Sequence, residues 1–284
     1  MIQQPDVRPS LIAGTWYNRD PGLLAREIDA YLDEAVPYKP EGQVIGLVAP
    51  HAGIRFSGRT AGRAFAAVRG QSREVVAVLS PYHHPHMAPL LTTAHTAYWT
   101  PLGEVPVDLD LLNRLDETLR AGGMPGLVRL PRDEEHSLEI ELPFLQRALE
   151  PGFRLLPVMV RTRASAPMRA LGLALADVLP EGSLLVASTD LSHYYPQPVA
   201  ERLDREMLRR IEQFAPLNVL AAEEAGAGFA CGVGAVAAVL WAAREMGANA
   251  VQTVHYSTSG DQSGDFGAVV GYGACVIYQR AAVA

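Results

Sequence analysis

The sequence predicts an α/β protein with one central, mainly parallel or mixed β-sheet flanked by helices. Short β-branched apolar runs alternate with amphipathic helical stretches along the chain. Several of the apolar runs are continuous, which is typical of strands that are covered on both faces. Proline and glycine are spread evenly, without repeats or a flexible linker, so we expect residues 1–284 to form a single domain.

The positions of the individual elements follow from local patterns. Clusters of β-branched and apolar residues predict strands at residues 44–49, 75–80, 155–160, 184–188, 251–255 and 268–277. Apolar residues at helical spacing predict helices at residues 21–34, 58–68, 109–121, 138–149, 166–178, 199–213 and 234–246.

Composition excludes several classes of protein. Of the 284 residues, 49% are apolar and 19% are charged, so a sizeable core can form, and a disordered, collagen-like or coiled-coil chain is not expected. A net charge of −7 and a pI near 5.6 argue against a general nucleic-acid binder. The two cysteines, Cys231 and Cys275, cannot form a disulfide framework, which favours a cytoplasmic location.

Two segments were considered as targeting or membrane elements. Residues 1–10 are polar and lack the apolar run of a signal peptide, so none is expected. Residues 225–243 are uncharged and long enough to suggest a membrane span, but glycines in the first half would weaken such a helix. We expect a glycine-rich loop followed by a buried helix. Residues 232–237 match G-x-G-x-x-A, but no strand precedes them, so a dinucleotide site is not predicted.

Polar residues follow three of the predicted strands. His51 follows the first, His83 the second, and Asp190 and His193 follow the strand at 184–188. In open α/β sheets, ligands bind at the carboxyl ends of the strands, and imidazole is the commonest metal ligand, so we expect one shared site. His83 is the expected ligand from its loop. Supporting or surface positions are expected for the other two histidines there, His84 and His86.

The pair Asp190 and His193 allows more than one interpretation. It is consistent with an acid–base pair, or with a metal ligand and the carboxylate that orients it. A helix cap would explain the aspartate but not the histidine. His136 is a further candidate site residue. Around it, Ser137 is a candidate N-cap, and three glutamates suit the first turn of a helix, namely Glu134, Glu135 and Glu139.

Cys231 directly precedes the helix predicted at residues 234–246. We expect the helix dipole to lower the pKa of its thiol, and a thiolate is both a nucleophile and a metal ligand. The alternative is a small buried apolar residue, which is how we interpret Cys275.

The order of these motifs resembles the Memo family, whose bacterial and archaeal members are called AmmeMemoRadiSam system protein B. The similarity spans nearly the whole chain. Its motifs are Ala13-Gly14-Thr15-Trp16-Tyr17, Ala-Pro-His51-Ala-Gly, Pro81-Tyr-His83-His84, Glu135-His136-Ser137-Leu-Glu139, Ser188-Thr-Asp190-Leu-Ser-His193, Cys231-Gly232, Tyr256-Ser257-Thr258-Ser259-Gly260-Asp261 and Val270-Gly271-Tyr272. The chain departs from the family at Tyr82, where serine is usual, and lacks the His-Pro that follows Cys-Gly in animal members.

The resemblance implies a fold like that of LigB-type class III extradiol dioxygenases, which hold non-haem Fe(II). It implies His51, His83 and Cys231 as metal ligands. His193 matches an acid–base residue, Asp190 its pocket partner, and His136 a further candidate catalytic residue. Fe(II) is the expected metal, with copper or zinc as alternatives. A small, catechol-like aromatic substrate and AMMECR-like and radical-SAM protein partners are also implied.

Two other functions remain open at this stage. One is a cysteine-nucleophile hydrolase in which Cys231 attacks, His193 is the base and Asp190 orients it. The other is a non-catalytic module that binds phosphopeptides or another ligand in the same pocket, as the resemblance to animal Memo implies.

Overall fold

The fold is built on a nine-stranded mixed sheet in a computed structural model that describes residues 6–34 and 42–280. In chain order the strands are β1 Val7–Arg8, β2 Gly42–Ala49, β3 Val75–Pro81, β4 Leu90–Thr93, β5 Ala97–Thr100, β6 Gly103–Pro106, β7 Val128–Leu130, β8 Arg154–Val160, β9 Leu184–Ser188, β10 His193–Tyr195, β11 Ala250–Thr258 and β12 Val269–Arg280.

Helices connect most of these strands. They are α1 Pro21–Glu34, α2 Ile54–Phe65, α3 Leu109–Ala121, α4 Glu141–Ala148, α5 Ser165–Val178, α6 Gln197–Glu212, α7 Pro216–Glu224, α8 Val233–Glu245 and α9 Gly260–Ser263, with a short 3₁₀ turn after α2 at Ala66–Val68.

The four strands β2, β9, β3 and β8 form a parallel block at the centre of the sheet. Strand β12 adds antiparallel to β2 and also pairs with β10 and β11, and β4 adds antiparallel to β8 and continues to β7. The register pairs Ala187 of β9 with Val48 on one side and Leu79 on the other. The carboxyl ends of β2, β9 and β3 therefore meet at one edge, and the prediction of a mixed α/β sheet flanked by helices is confirmed.

Two groups of helices cover this sheet. Helix α8 packs on β2, β3, β8 and β9, and α5 packs on α8. Their approach is close because Gly172 of α5 has no side chain, and a Cβ there would lie 2.8 Å from the carbonyl oxygen of Ala238. Helix α2 packs on β2, β11 and β12 and contacts α1 and α4. Strands β3 and β9 are buried at every residue, and each fully buried Val or Leu contributes about 1.5–3 kcal/mol.

A second, three-stranded sheet joins β1, β5 and β6. Strand β1 pairs in parallel with β5, through Val7 and Ala97. This pairing carries Arg8 into the protein interior, where the residue is only 1% exposed. Nothing in the polar pattern of residues 1–10 predicted a buried arginine.

The remaining differences from the sequence-based predictions are local. Helix α4 begins at Glu141 rather than 138, because residues 136–140 form turns before it. Ser137 therefore does not cap this helix, and its Oγ donates to the carbonyl oxygen of Pro81. The strands β1, β4, β5, β6, β7 and β10 and the helices α7 and α9 were not predicted, since most of them are too short to show a period. Among the described residues, no helix is both long and apolar enough to cross a membrane.

Candidate metal centre

His51 lies directly after β2, beside the end of β9. Its backbone N–H donates to Asp190 Oδ1 at 2.8 Å, and its Nδ1 lies 2.9 Å from Ser188 Oγ. The side chain is only 3% exposed. Two side chains, one at the end of β9 and one just after it, thus hold both the main chain and the ring of His51.

His83 follows β3 and is held by a different residue, Glu135. The backbone N–H of His83 donates to Glu135 Oε2 at 2.6 Å, and its Nδ1 lies 2.9 Å from Oε1. Because a carboxylate only accepts, Nδ1 carries a hydrogen, so in the neutral form of the ring the lone pair lies on Nε2. A carboxylate that binds the far nitrogen of a metal-ligating histidine is the usual way to fix the ring of such a ligand.

Glu135 is fully buried and accepts two further hydrogen bonds, from the backbone N–H groups of His136 at 3.0 Å and Ser137 at 2.8 Å. Burial alone would raise its pKa, but the hydrogen bonds and charge of His83 outweigh burial and hold the pKa well below its ordinary value. Glu135 is therefore an ionised support for the site. The prediction that it is a first-turn helix acid is wrong.

Arg8 anchors the Glu135 loop from behind. Its Nη2 donates to the carbonyl oxygen of Glu135 at 2.6 Å, its Nε pairs with Asp133 at 3.0 Å, and its Nη1 pairs with Glu139 at 2.6 Å. All these side chains are essentially buried. Glu139 is thus a buried ion-pair partner rather than an acid of the first helical turn, and Arg8 is a supporting residue that the sequence did not reveal.

Three imidazole rings converge at this edge. Ligand nitrogens of His51, His83 and His136 all lie within 4.8 Å of one another. The His136 ring stacks on His83 with centroids 4.8 Å apart, and Trp16 covers His136 with centroids 4.4 Å apart. Burial, reinforced by the neighbouring His83, lowers the pKa of His51 well below its ordinary value. Burial also lowers the pKa of His136, although Glu135 opposes this. Neutral rings are the form that binds metal.

Cys231 approaches the same group from the turn before α8. Its Sγ lies 3.3 Å from His51 Nε2 and accepts from the backbone N–H of Asp190 at 3.2 Å. Burial raises the pKa of this thiol, and the nearby Asp190 carboxyl raises it further. The expectation that this pKa is lowered is therefore wrong, because burial and Asp190 outweigh the hydrogen bonds that Cys231 receives from the N–H groups of Asp190 and Gly232. A bound metal can still take the thiolate, since binding releases the proton.

Two glycines after Cys231 allow this close approach. A Cβ on Gly232 would lie 2.3 Å from the carbonyl oxygen of Ser188, and one on Gly234 would lie 2.5 Å from that of Thr162. Packing of the cysteine turn against β9, rather than dinucleotide binding, accounts for this glycine pattern.

Asp190 and His193 do not form the expected hydrogen-bonded pair. Burial raises the pKa of Asp190 to about 7, against the opposing hydrogen bonds from the N–H groups of His51 and Ala52. The His193 Nδ1 instead donates to the carbonyl oxygen of Leu191 at 2.8 Å. Burial lowers the pKa of His193, although this hydrogen bond opposes the shift. The structure therefore pairs Cys231 with His51, which differs from the order Cys231, His193, Asp190 expected for a hydrolase.

Two cavities lie near the histidines. The larger, about 500 Å³, is lined by the aromatic residues Trp16, Phe56, Tyr194 and Tyr272 and by the charged Arg55 and Asp265, but by none of the clustered histidines. The smaller, about 250 Å³, is lined by residues that include Tyr82, His83, Arg161 and Cys231. The neighbouring His84 lies outside the group, with its Nε2 3.1 Å from the carbonyl oxygen of Glu134. The His86 Nδ1 accepts from the N–H of Ala88.

The fold and this cluster together define an α/β protein with a candidate metal site at its strand ends. A family model described as Memo-like protein matches residues 8–276. A MEMO1 family protein of Methanopyrus kandleri is 34% identical, with 96% of this chain and 99% of the relative covered. One of Methanothermobacter thermautotrophicus is 31% identical, with 94% and 98% covered. The chain belongs to the Memo-like family, as its motifs indicated.

Among solved structures, an uncharacterized Escherichia coli protein, JW3007, is similar in fold. The TM-score is 0.52 at 14% identity, and the alignment covers 82% of this chain and all of the other. At this identity the likeness concerns the fold alone.

Proposed function

We propose that the chain is a metal-dependent redox enzyme that binds non-haem iron, or copper, through His51, His83 and Cys231. The observation that carries this proposal is the convergence of three imidazole rings and a thiol at the edge of the sheet where β2, β3 and β9 end. Two imidazoles and a thiolate form a donor set that suits Fe(II), Cu(I) or Zn(II).

Two residues compete for the position of third ligand beside His51 and His83. His136 lies with them in the cluster of ligand nitrogens, whereas the Cys231 Sγ contacts His51 Nε2. We favour Cys231, because its Sγ lies 3.3 Å from the lone-pair nitrogen of His51. His136 then packs between His83 and Trp16 as part of the wall that faces the substrate.

The surrounding residues supply the remaining functions. A redox-active metal, when bound, would exchange electrons with O₂ or the substrate. His193 donates from Nδ1 to Leu191, so its Nε2 is free to accept a proton, as a general base requires. Asp190 holds the backbone at His51, which keeps that ring in place. The aromatic cavity fits a small planar substrate of the catechol type, and Arg55 suits an anionic substituent on it.

The proposal is tested by metal content and affinity in protein purified without oxygen and reconstituted with Fe(II). We expect near-stoichiometric iron in the wild type, and affinity at least about tenfold lower in His51→Ala and Cys231→Ala. His84→Ala is the matched control, since His84 shares the His83 loop but lies outside the cluster. O₂ uptake with catechols then tests the reaction.

Each outcome identifies the ligand set. If His136→Ala loses the metal and Cys231→Ala keeps it, the set is three histidines, and the thiol assignment fails. If neither the wild type nor any variant retains a specific metal, the redox proposal fails. Labelling of Cys231 by a thiol electrophile, which a bound metal should block, provides an independent readout.

A further inference from the structure

We propose that Glu141 is a positioning residue: as a protonated carboxylic acid it donates to Ser188 and holds in place the hydroxyl group that keeps His51 in the tautomer whose Nε2 faces the site. Glu141 lies in the first turn of α4 and does not itself touch the imidazole rings. The proposal rests on the proposed metal-binding function only for its consequence, because the hydrogen-bond assignment can be tested without metal.

The Ser188 hydroxyl group makes three contacts of hydrogen-bond length. Ser188 Oγ lies 2.7 Å from the carbonyl oxygen of Ser137, 2.6 Å from Glu141 Oε1 and 2.9 Å from His51 Nδ1. A serine hydroxyl has one hydrogen to donate and two lone pairs that accept. If all three contacts are hydrogen bonds, Ser188 therefore donates one of them and accepts the other two.

The direction of each bond then follows. The carbonyl oxygen of Ser137 can only accept, so it takes the Ser188 hydrogen. Glu141 and His51 must both donate, which places a proton on the Glu141 carboxyl and another on His51 Nδ1. If Ser188 donated to Glu141 instead, two oxygens without a hydrogen between them would face each other at 2.7 Å, at Ser188 and Ser137.

The surroundings of Glu141 favour the protonated form. The residue is 1% exposed, and its other oxygen, Oε2, has no hydrogen-bond partner among the described residues. Burial raises the pKa of Glu141 well above its ordinary value, although the hydrogen bond to Ser188 opposes the shift. An ionised carboxylate with one hydrogen-bonded oxygen and one bare oxygen would be costly here, whereas a neutral acid requires far less compensation.

The hydrogen bond to Ser188 determines which nitrogen of His51 carries the lone pair. With Nδ1–H donated to Ser188, the lone pair resides on Nε2, which is the nitrogen 3.3 Å from Cys231 Sγ. Removing the Ser188 hydroxyl would let the ring exchange tautomers, and part of the population would present N–H to the site. Removing only the Glu141 donor would loosen the placement of that hydroxyl and so weaken the same constraint. Metal affinity would then fall without loss of any ligand.

The test compares Glu141→Gln, Glu141→Leu and Ser188→Ala with the wild type, and Glu150→Gln is a matched control at an exposed glutamate just after α4. Infrared difference spectra at neutral pH should show a protonated carboxylic acid in the wild type that disappears in Glu141→Gln and persists in Glu150→Gln. Nitrogen-15 NMR of the metal-free protein should show His51 protonated at Nδ1, with mixed tautomers in Ser188→Ala.

Metal titration with Zn(II) measures the functional effect. A glutamine amide can also donate to Ser188, so Glu141→Gln should stay within about threefold of the wild type, whereas Glu141→Leu and Ser188→Ala should bind about tenfold or more weakly. A purely structural role would make both Glu141 variants lose affinity in step with stability.

The proposal is overturned by an ionised Glu141, by a wild-type His51 protonated at Nε2, or by equal losses in Glu141→Gln and Glu141→Leu. If Glu141→Leu fails to fold, the spectra of Glu141→Gln and Ser188→Ala still decide the assignment. If the wild type binds no metal, the proposed function fails, while the infrared and NMR results still decide the hydrogen bonds.

Discussion

The two histidines at the ends of β2 and β3 are oriented by different kinds of hydrogen-bond partner. His83 donates its Nδ1–H to Glu135, an ionised carboxylate that accepts four N–H groups. His51 donates to Ser188, which Glu141 supports as a neutral acid. One orienting group is therefore an anion and the other is uncharged, yet each leaves Nε2 free for a metal.

The two carboxyl groups differ in protonation state because the surroundings of Glu135 can stabilise a buried negative charge and those of Glu141 cannot. The Glu135 loop has a cation behind it, Arg8, and enough backbone donors to stabilise a buried charge. Glu141 lies behind the more buried ring and has a single hydroxyl as partner, so a charge there would remain uncompensated. A buried anionic carboxylate such as Glu135 requires a cation and several N–H donors to stabilise it. A neutral carboxylic acid such as Glu141 requires only that each hydrogen bond around Ser188 has one donor and one acceptor.

The largest expected effect is a loss of stability when Arg8, the cation behind the Glu135 loop, is removed. Arg8→Met would leave Asp133 and Glu139 as buried, unpaired charges, so we expect the free energy of unfolding to fall by about 3–5 kcal/mol. Urea denaturation measures this, with Arg26→Met on the exposed face of α1 as the control. The comparison further predicts that NMR signals of His83 shift while the His51 tautomer is retained. A loss below about 1 kcal/mol would contradict a supporting role for Arg8.

A smaller effect is expected when the anionic support loses only its charge. In Glu135→Gln one acceptor oxygen is replaced by an NH₂ group that faces N–H donors, so metal affinity should fall about 10- to 100-fold. Isothermal titration with Zn(II) measures this, and the exposed neighbour Glu134→Gln should bind as the wild type does. Only a mild loss of metal affinity is expected for Glu141→Gln. Equal losses of affinity in Glu135→Gln and Glu141→Gln would contradict the distinction between an ionised and a neutral carboxyl group.

The smallest expected effect is a difference in the pH dependence of stability, on the order of 1 kcal/mol. The pKa of Glu135 is lowered from 4.5, mainly because the bonds from His83 outweigh burial, so its stabilisation is present above about pH 4.5 and is lost on acidification. Burial raises the pKa of Glu141 above 4.5, so its stabilisation is full below about pH 4.5 and is lost as pH rises toward the folded-state pKa.

The two variants should therefore respond to pH in opposite directions. Relative to the wild type, the stability deficit of Glu135→Gln should shrink as pH falls below about 4.5, and that of Glu141→Gln should shrink as pH rises above it. Urea unfolding across this range, with a chelator present, measures both slopes. Slopes of the same sign would show that the two carboxyl groups share one protonation state.

The sequence predicted which strands bring His51 and His83 together, but not which residues hydrogen-bond to them. Continuous apolar runs end at His51 and His83, so the meeting of these residues at one sheet edge follows from strand order and polarity. The hydrogen-bond partners depend on side-chain geometry across distant segments: His83 and Glu135 are 52 positions apart, and Arg8 and Glu139 are 131 apart. A glutamate that supports a ligand and one that begins a helix have the same local sequence signature, which is why Glu135 was assigned to a helix turn.

The position of β9 in the sheet also determines when the site can form. All three clustered histidines precede β9, yet this strand lies between β2 and β3, and Asp190 at its end is 139 positions beyond His51. During synthesis, the histidines leave the ribosome before the strand that sets their spacing. Such long-range insertion is expected to be slow, so maturation of the centre is a late folding event that a truncated N-terminal half cannot complete.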